Sequence, residues 1–212
     1  MILFVPAYDS QTRGNLSIAL AIADNSCQFF FQDDALGEKL KNRLRRSPAP
    51  LFVMSHGTAN CFFEQNGKPA LLPDEVHLLA NLPVFVFACY TSNEFGKSAA
   101  QEKAIYWGYT GAIQSVDLSD TVSVLFRPIF KTILYNFPHH HEASAIQTFL
   151  LHLKSACDQV AEALDLLDEL DDPLGAYACG RDIWSKLRIH HPDLTDPIFH
   201  PESPLGDLFE WR

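Results

Sequence analysis

Three short runs, ILFVPA from Ile2, LFVM from Leu51 and VFVFA from Val84, are apolar at every position. A strand with one face in water alternates apolar and polar residues, so an unbroken apolar run means burial on both faces. Such strands need a covering layer above and below the sheet. The segments between them supply it. Leu16 to Ala23 is aliphatic and small, suited to a helix against a sheet. Asp34 to Arg46 carries Leu36, Leu40 and Leu44 at spacing four, with an aspartate near its start and basic residues near its end. That is an amphipathic helix with charges matched to its dipole, stopped by Pro48 and Pro50. Alternation of buried strands with helices predicts an α/β fold around a mainly parallel central sheet.

The remaining segments extend this pattern. Cys27 to Phe31 reads as a second strand. Residues Cys61 to Leu72 form a candidate hairpin, because CFFEQ and KPALL flank Asn66-Gly67, a strong turn dipeptide. Helices are predicted at Pro73 to Leu82, at Gly96 to Trp107 and at Asp120 to Phe137, with a fifth strand at Gly111 to Val116. From Glu142 to Leu170, apolar residues recur at three-to-four spacing, which predicts a long amphipathic helix broken at most once. The tail from Asp171 holds Ile183, Trp184, Leu187, Phe199, Leu208, Phe209 and Trp211 as packing anchors. The expected organisation is a core over residues 1–137 and a helical extension over 138–212 packed on the same domain.

Charge narrows the function. The formal net charge is −10, from 26 acidic and 16 basic residues, which disfavours a nucleic-acid backbone as partner. The basic cluster Lys39, Lys41, Arg43, Arg45 and Arg46 reads as the solvated face of one helix. No apolar stretch reaches membrane-spanning length, and MILFVPAY has no basic segment before it and is too short for a secretory signal. A cytoplasmic protein with no membrane partner is expected. The five cysteines, Cys27, Cys61, Cys89, Cys157 and Cys179, are dispersed and odd in number, which suits free thiols.

Two strand ends carry candidate chemistry, LFVMSHGTAN and VFVFACYTSN. Each is a buried run that ends in a reactive residue, His56 and Cys89. Parallel strands end on one edge of a sheet, and open α/β sheets bind ligands at that carboxyl edge. A thiol has little thiolate at neutral pH and needs a base within reach, which a histidine on the neighbouring strand end would supply. Gly57 lets backbone approach a substrate carbonyl, and the Gly57 and Cys89 N–H groups are candidates for an oxyanion hole. The competing interpretation is structural, with Cys89 a core thiol and His56 a satisfied loop histidine. A G-x-S-x-G elbow, a P-loop and G-x-G-x-x-G are all missing, so serine hydrolase and nucleotide chemistry lack their signatures. His139, His140 and His141, and His190 and His191 with Asp193, sit in polar loops where histidines are usually solvated; no metal or cofactor is expected.

These residues resemble a family. A strand followed by His56-Gly57, another followed by Ala88-Cys89-Tyr90-Thr91 with Gly96 beyond, and then Gly111-Ala112-Ile113-Gln114-Ser115 leading into Asp117 and Asp120 resemble the caspase-like cysteine peptidases of clan CD. The CHAT branch, related to caspases and separase, is the nearest in pattern, and the likeness spans about residues 1 to 137. Phe87 stands where that branch has serine, and Asp117 stands where it has tryptophan.

The resemblance implies a caspase-hemoglobinase-like three-layer sandwich and a Cys–His dyad endopeptidase. Cys89 would be the nucleophile, His56 the acid and base, and Gly57 and Cys89 the oxyanion-hole donors. Asp117 and Asp120 would fall in the pocket for the residue before the cut, where a carboxylate favours Arg or Lys; Asp120 also suits a helix cap. A protein substrate, an activator or sensor protein, and a place in a bacterial defence or regulated-death pathway come with the resemblance. A second class is an interaction module that keeps the fold and binds a partner without cutting it. A glutamine-amidotransferase-like hydrolase ranks last, because no glycine flanks Cys89.

Overall fold

A computed structural model of the chain describes residues 1–115, 120–167 and 172–204. Its centre is a six-stranded sheet formed by β1 (Ile2–Val5), β2 (Gln28–Phe31), β3 (Leu51–Met54), β6 (Pro83–Phe87), β7 (Ile105–Tyr109) and β8 (Leu187–His190). The strand order is β2-β1-β3-β6-β7-β8. All neighbours run parallel except β8, which is antiparallel to β7 on the edge. A small hairpin, β4 (Gly57–Thr58) and β5 (Cys61–Phe62), stands apart beyond the end of β3.

Alternate residues of the same strands feed two separate cores, which is why the runs had to be apolar throughout. On one face Leu3, Val5, Phe52, Met54, Phe85 and Phe87 pack under α1 (Ser10–Ile22), α4 (Asp120–Asn136), α5 (Ala143–Leu164) and α6 (Pro173–Ser185). On the other face Ile2, Phe4, Val53, Val84 and Val86 meet Leu40 and Leu44 of α2 (Gly37–Arg46) and Phe95 and Ala99 of α3 (Glu94–Gln101). Phe52 stacks on Phe85 across β3 and β6, with ring centroids 4.8 Å apart. Stacks of this kind add to the burial that ties neighbouring strands in register. The fold is α/β, a mainly parallel sheet covered by helices on both faces.

Three expectations need correcting. The fifth strand is Ile105–Tyr109, and Gly111 to Ser115 is an irregular segment that follows it. Helix α3 ends at Gln101, and Lys103 adopts φ +65°, which turns the chain before IYWGY begins. A lysine in the left-handed region breaks the helical path that the sequence pattern allowed. The predicted helix at Pro73 is a 3-10 stretch, Pro73–Leu79. The Asn66-Gly67 turn forms: Gly67 has φ +69°, and Phe63 bridges Pro69 in antiparallel sense. After residue 137 the chain adds two helices and then β8, whose residues pair with β7 within the same sheet. Leu208, Phe209 and Trp211 lie outside the described residues.

Candidate active site at the carboxyl edge

The sheet order makes β1, β3, β6 and β7 consecutive neighbours, so their carboxyl ends form one ledge. Asp9 follows β1, His56 follows β3, Cys89 follows β6, and Gly111 to Ser115 follows β7. Met54 and Phe87 are the last paired residues of β3 and β6, and His56 and Cys89 each stand two positions beyond. The Ser55 N–H donates to the Phe87 carbonyl at 3.1 Å and extends the register toward them.

The structure thus brings the predicted pair to adjacent strand ends, joined through backbone. Gly57 lies against Cys89 so closely that a Cβ added there would stand 2.9 Å from the Cys89 carbonyl oxygen and 2.6 Å from Thr91 Cγ2. Only glycine allows this approach. No hydrogen bond joins the His56 and Cys89 side chains among the described residues. Each has another partner instead.

His56 Nε2 donates to Asp9 Oδ2 at 2.7 Å. The other Asp9 oxygen, Oδ1, accepts from the Thr12 N–H and from Thr12 Oγ1, both at 2.8 Å. Asp9 is therefore the N-cap of α1 in a reciprocal capping box, since its own N–H donates to Thr12 Oγ1. Partial burial pushes the Asp9 carboxyl up, but the Thr12 and His56 hydrogen bonds outweigh it and hold it below the usual carboxylate range. The imidazole also lies beside the Tyr8 ring, 5.7 Å between centroids.

Cys89 is half-buried. Its Sγ accepts from the Ile113 N–H at 3.4 Å and can donate to the Ile113 carbonyl at 3.8 Å. Tyr90, directly after it, has φ +62° and half-exposes its ring. The chain therefore turns sharply directly after Cys89, at a tyrosine and not at a glycine. A bulky residue in the left-handed region costs about 1–2 kcal/mol, and such strain clusters at functional sites. It is held by the Tyr90 N–H to the Gly111 carbonyl, 3.1 Å, and by Thr91 Oγ1 donating to the Ala88 carbonyl, 3.0 Å.

The segment over the thiol is clamped from α6. Asp182, 3% exposed, accepts the Gln114 N–H at 3.2 Å and pairs with Lys186 at 2.9 Å. Lys186 also donates to the Ala112 carbonyl. Of the two predicted pocket carboxylates, Asp117 lies outside the described residues. Asp120 opens α4, and its side chain is likewise outside them.

Asp9, Ile113, Asp182 and Lys186 were not singled out by sequence. Asp9 had a readable signal, an Asp-x-x-Thr cap directly after a buried strand. Ile113 stood within the Gly111 to Ser115 motif without a role of its own, and Asp182 and Lys186 carry no signal, because only tertiary packing brings α6 to this edge. Of the loop histidines, His140 Nδ1 bonds the Asn136 carbonyl at 2.9 Å, and His191 Nε2 bonds the His141 carbonyl across 50 residues at 2.8 Å, whereas His190 is not in a loop as expected but buried on β8. Among the described residues no group of three or more His, Cys, Asp or Glu is placed to hold a metal ion, and no helix is long and apolar enough to cross a membrane. No protein-family model, no curated protein and no solved structure matches the chain.

Proposed function

We propose that the protein is a caspase-like cysteine endopeptidase of the CHAT type, with Cys89 as nucleophile and His56 as acid and base. One observation carries the reading: His56 and Cys89 end adjacent parallel strands, and Cys89 is presented on a strained turn held by the next strand's loop. A buried structural cysteine needs no such turn.

In the reaction, the thiol proton passes to the imidazole and the sulfur attacks the scissile carbonyl carbon. The oxyanion that forms is met by the backbone N–H groups of Gly57 and Cys89. His56 then returns the proton to the leaving amine, the C–N bond breaks, and a thioester remains on Cys89. Water, deprotonated by the same imidazole, adds to the thioester, and loss of the thiolate regenerates the enzyme. Dyad hydrogen bonds often tighten only when substrate is bound. Asp117, and with it Asp120, would favour Arg or Lys before the cut. The substrate is a specific protein, and an activator or sensor chain in a bacterial defence or regulated-death pathway would control the cut.

A second reading, an inactive interaction module with the same fold, draws on a specific observation. Cys89 Sγ is engaged by Ile113 and not by His56. Cys89→Ala separates the two. In a peptidase it abolishes cleavage of the partner protein and leaves binding intact; in an interaction module neither the wild type nor the variant cleaves.

A further inference from the structure

We infer that Asp9 is the positioning residue of the dyad: it fixes the His56 tautomer so that Nδ1, not Nε2, serves Cys89. The inference rests on the Cys–His peptidase reading and adds a third strand end to it.

The carboxylate is divided between two tasks. Oδ1 is fixed by the Thr12 N–H and hydroxyl, and Oδ2 is left to meet His56 Nε2 at 2.7 Å. The helix N-terminus and these donors keep Asp9 anionic, and an ionised carboxylate can only accept. Nε2 must therefore carry the proton. In a neutral imidazole that leaves the lone pair on Nδ1, the nitrogen able to take the Cys89 proton. When it does so, the imidazolium forms beside a carboxylate already in place, which lowers the cost of separating charge. The Tyr8 ring flanks the imidazole, and burial pushes its phenol up to about 12, so it adds no charge near neutral pH. Sheet order is what makes this arrangement. Asp9 and His56 are 47 residues apart in sequence but sit at the ends of the neighbouring strands β1 and β3.

Because Asp9 also caps α1, the test must separate capping from positioning. Asparagine caps as well as aspartate, but it cannot hold the Nε2–H tautomer by charge. Two readouts are measured on wild type, Asp9→Asn and Asp9→Ala: the rate of Cys89 alkylation by a peptidyl acyloxymethyl ketone, and the His56 imidazole nitrogen shifts by NMR. The expected result is that both variants lose alkylation rate by about 10²–10⁴-fold. Asp9→Asn should melt like wild type, and both should lose the dominant Nε2–H signature. Wild-type alkylation in Asp9→Asn, with loss confined to Asp9→Ala, would make Asp9 a cap alone and overturn the inference while leaving the dyad standing. No alkylation of Cys89 in the wild type would remove the dyad, and the positioning role with it.

Discussion

Gly57 and Cys89 touch backbone to backbone, and a single methyl group on Gly57 would stand 2.9 Å from the Cys89 carbonyl oxygen. It would also stand 2.9 Å from Ala88 Cβ, and both neighbours lie just past the end of the central strand β6, with Ala88 fully buried. Gly57→Ala should therefore cost about 1–3 kcal/mol, the usual penalty for overpacking. Chemical denaturation with urea measures it. A loss under about 0.5 kcal/mol, the scale of a neutral surface change, would mean the contact is looser than described.

Thiol chemistry should sort the five cysteines by burial. Burial drives the Cys157 thiol up to about 12 and the Cys179 thiol well above its ordinary value. Both are packed in the core under α5 and α6. Only the half-exposed Cys27 and Cys89 have access to reagent. A maleimide at pH 7.5 should modify those two in the native protein and all five after denaturation. Native-state labelling of Cys179 at the rate of Cys27 would contradict the packing of α6.

Acid should destabilise the protein before the carboxylates titrate. His190 on β8 is bonded through Nε2 to Ser92 Oγ at 2.9 Å and to the Ser92 carbonyl at 2.7 Å. Burial holds its imidazole below the ordinary histidine value, against the opposing pull of the Ser92 carbonyl. The unfolded chain then binds the proton first. Stability is complete above about pH 6.5, declines as pH falls through that value, and levels off once the folded form is protonated too. His200, also lowered by burial, acts with the same sign. Thermal midpoints between pH 8 and 5 should fall, and more shallowly in His190→Gln than in wild type. An identical slope in the variant would rule His190 out as the source.

The clamp on the segment over Cys89 should be energetically visible. Lys186→Met leaves Asp182 buried with its best cation gone. Breaking one side of a buried pair costs roughly 3–5 kcal/mol, and the lower end applies because the Lys186 side chain is 33% exposed. Asp182→Asn keeps an acceptor for the Gln114 N–H and should cost less. Equal losses in the two variants would contradict a cost that arises from leaving the Asp182 carboxylate buried without its cation.

The parts of the fold visible in the sequence were those set by local pattern. Leu51–Met54 is a strand because four consecutive apolar residues leave it no other buried form, and its ends were read to the residue. His56 and Cys89 were visible because each interrupts such a run. The strand Ile105–Tyr109 was hidden by the helical spacing that precedes it, and the break depends on a positive φ at Lys103 that lysine does not advertise. β8 was hidden for a different reason. Its alternate residues, Arg188 and His190, are polar yet buried, held by Phe199 and by Ser92 from distant segments. The Asp9–His56 bond follows from sheet order, which no local pattern encodes. Sequence could nominate the strand ends, but only the order of the strands decides which ends are neighbours.

The most direct test of the central proposal is mass spectrometry after treatment with a peptide warhead carrying Arg at the position before the reactive carbonyl. The proposal predicts a single adduct on Cys89, abolished in His56→Ala, with Cys27, also partly exposed, left unmodified. Adduct spread over Cys27 and Cys89 alike, and unchanged in His56→Ala, would contradict it.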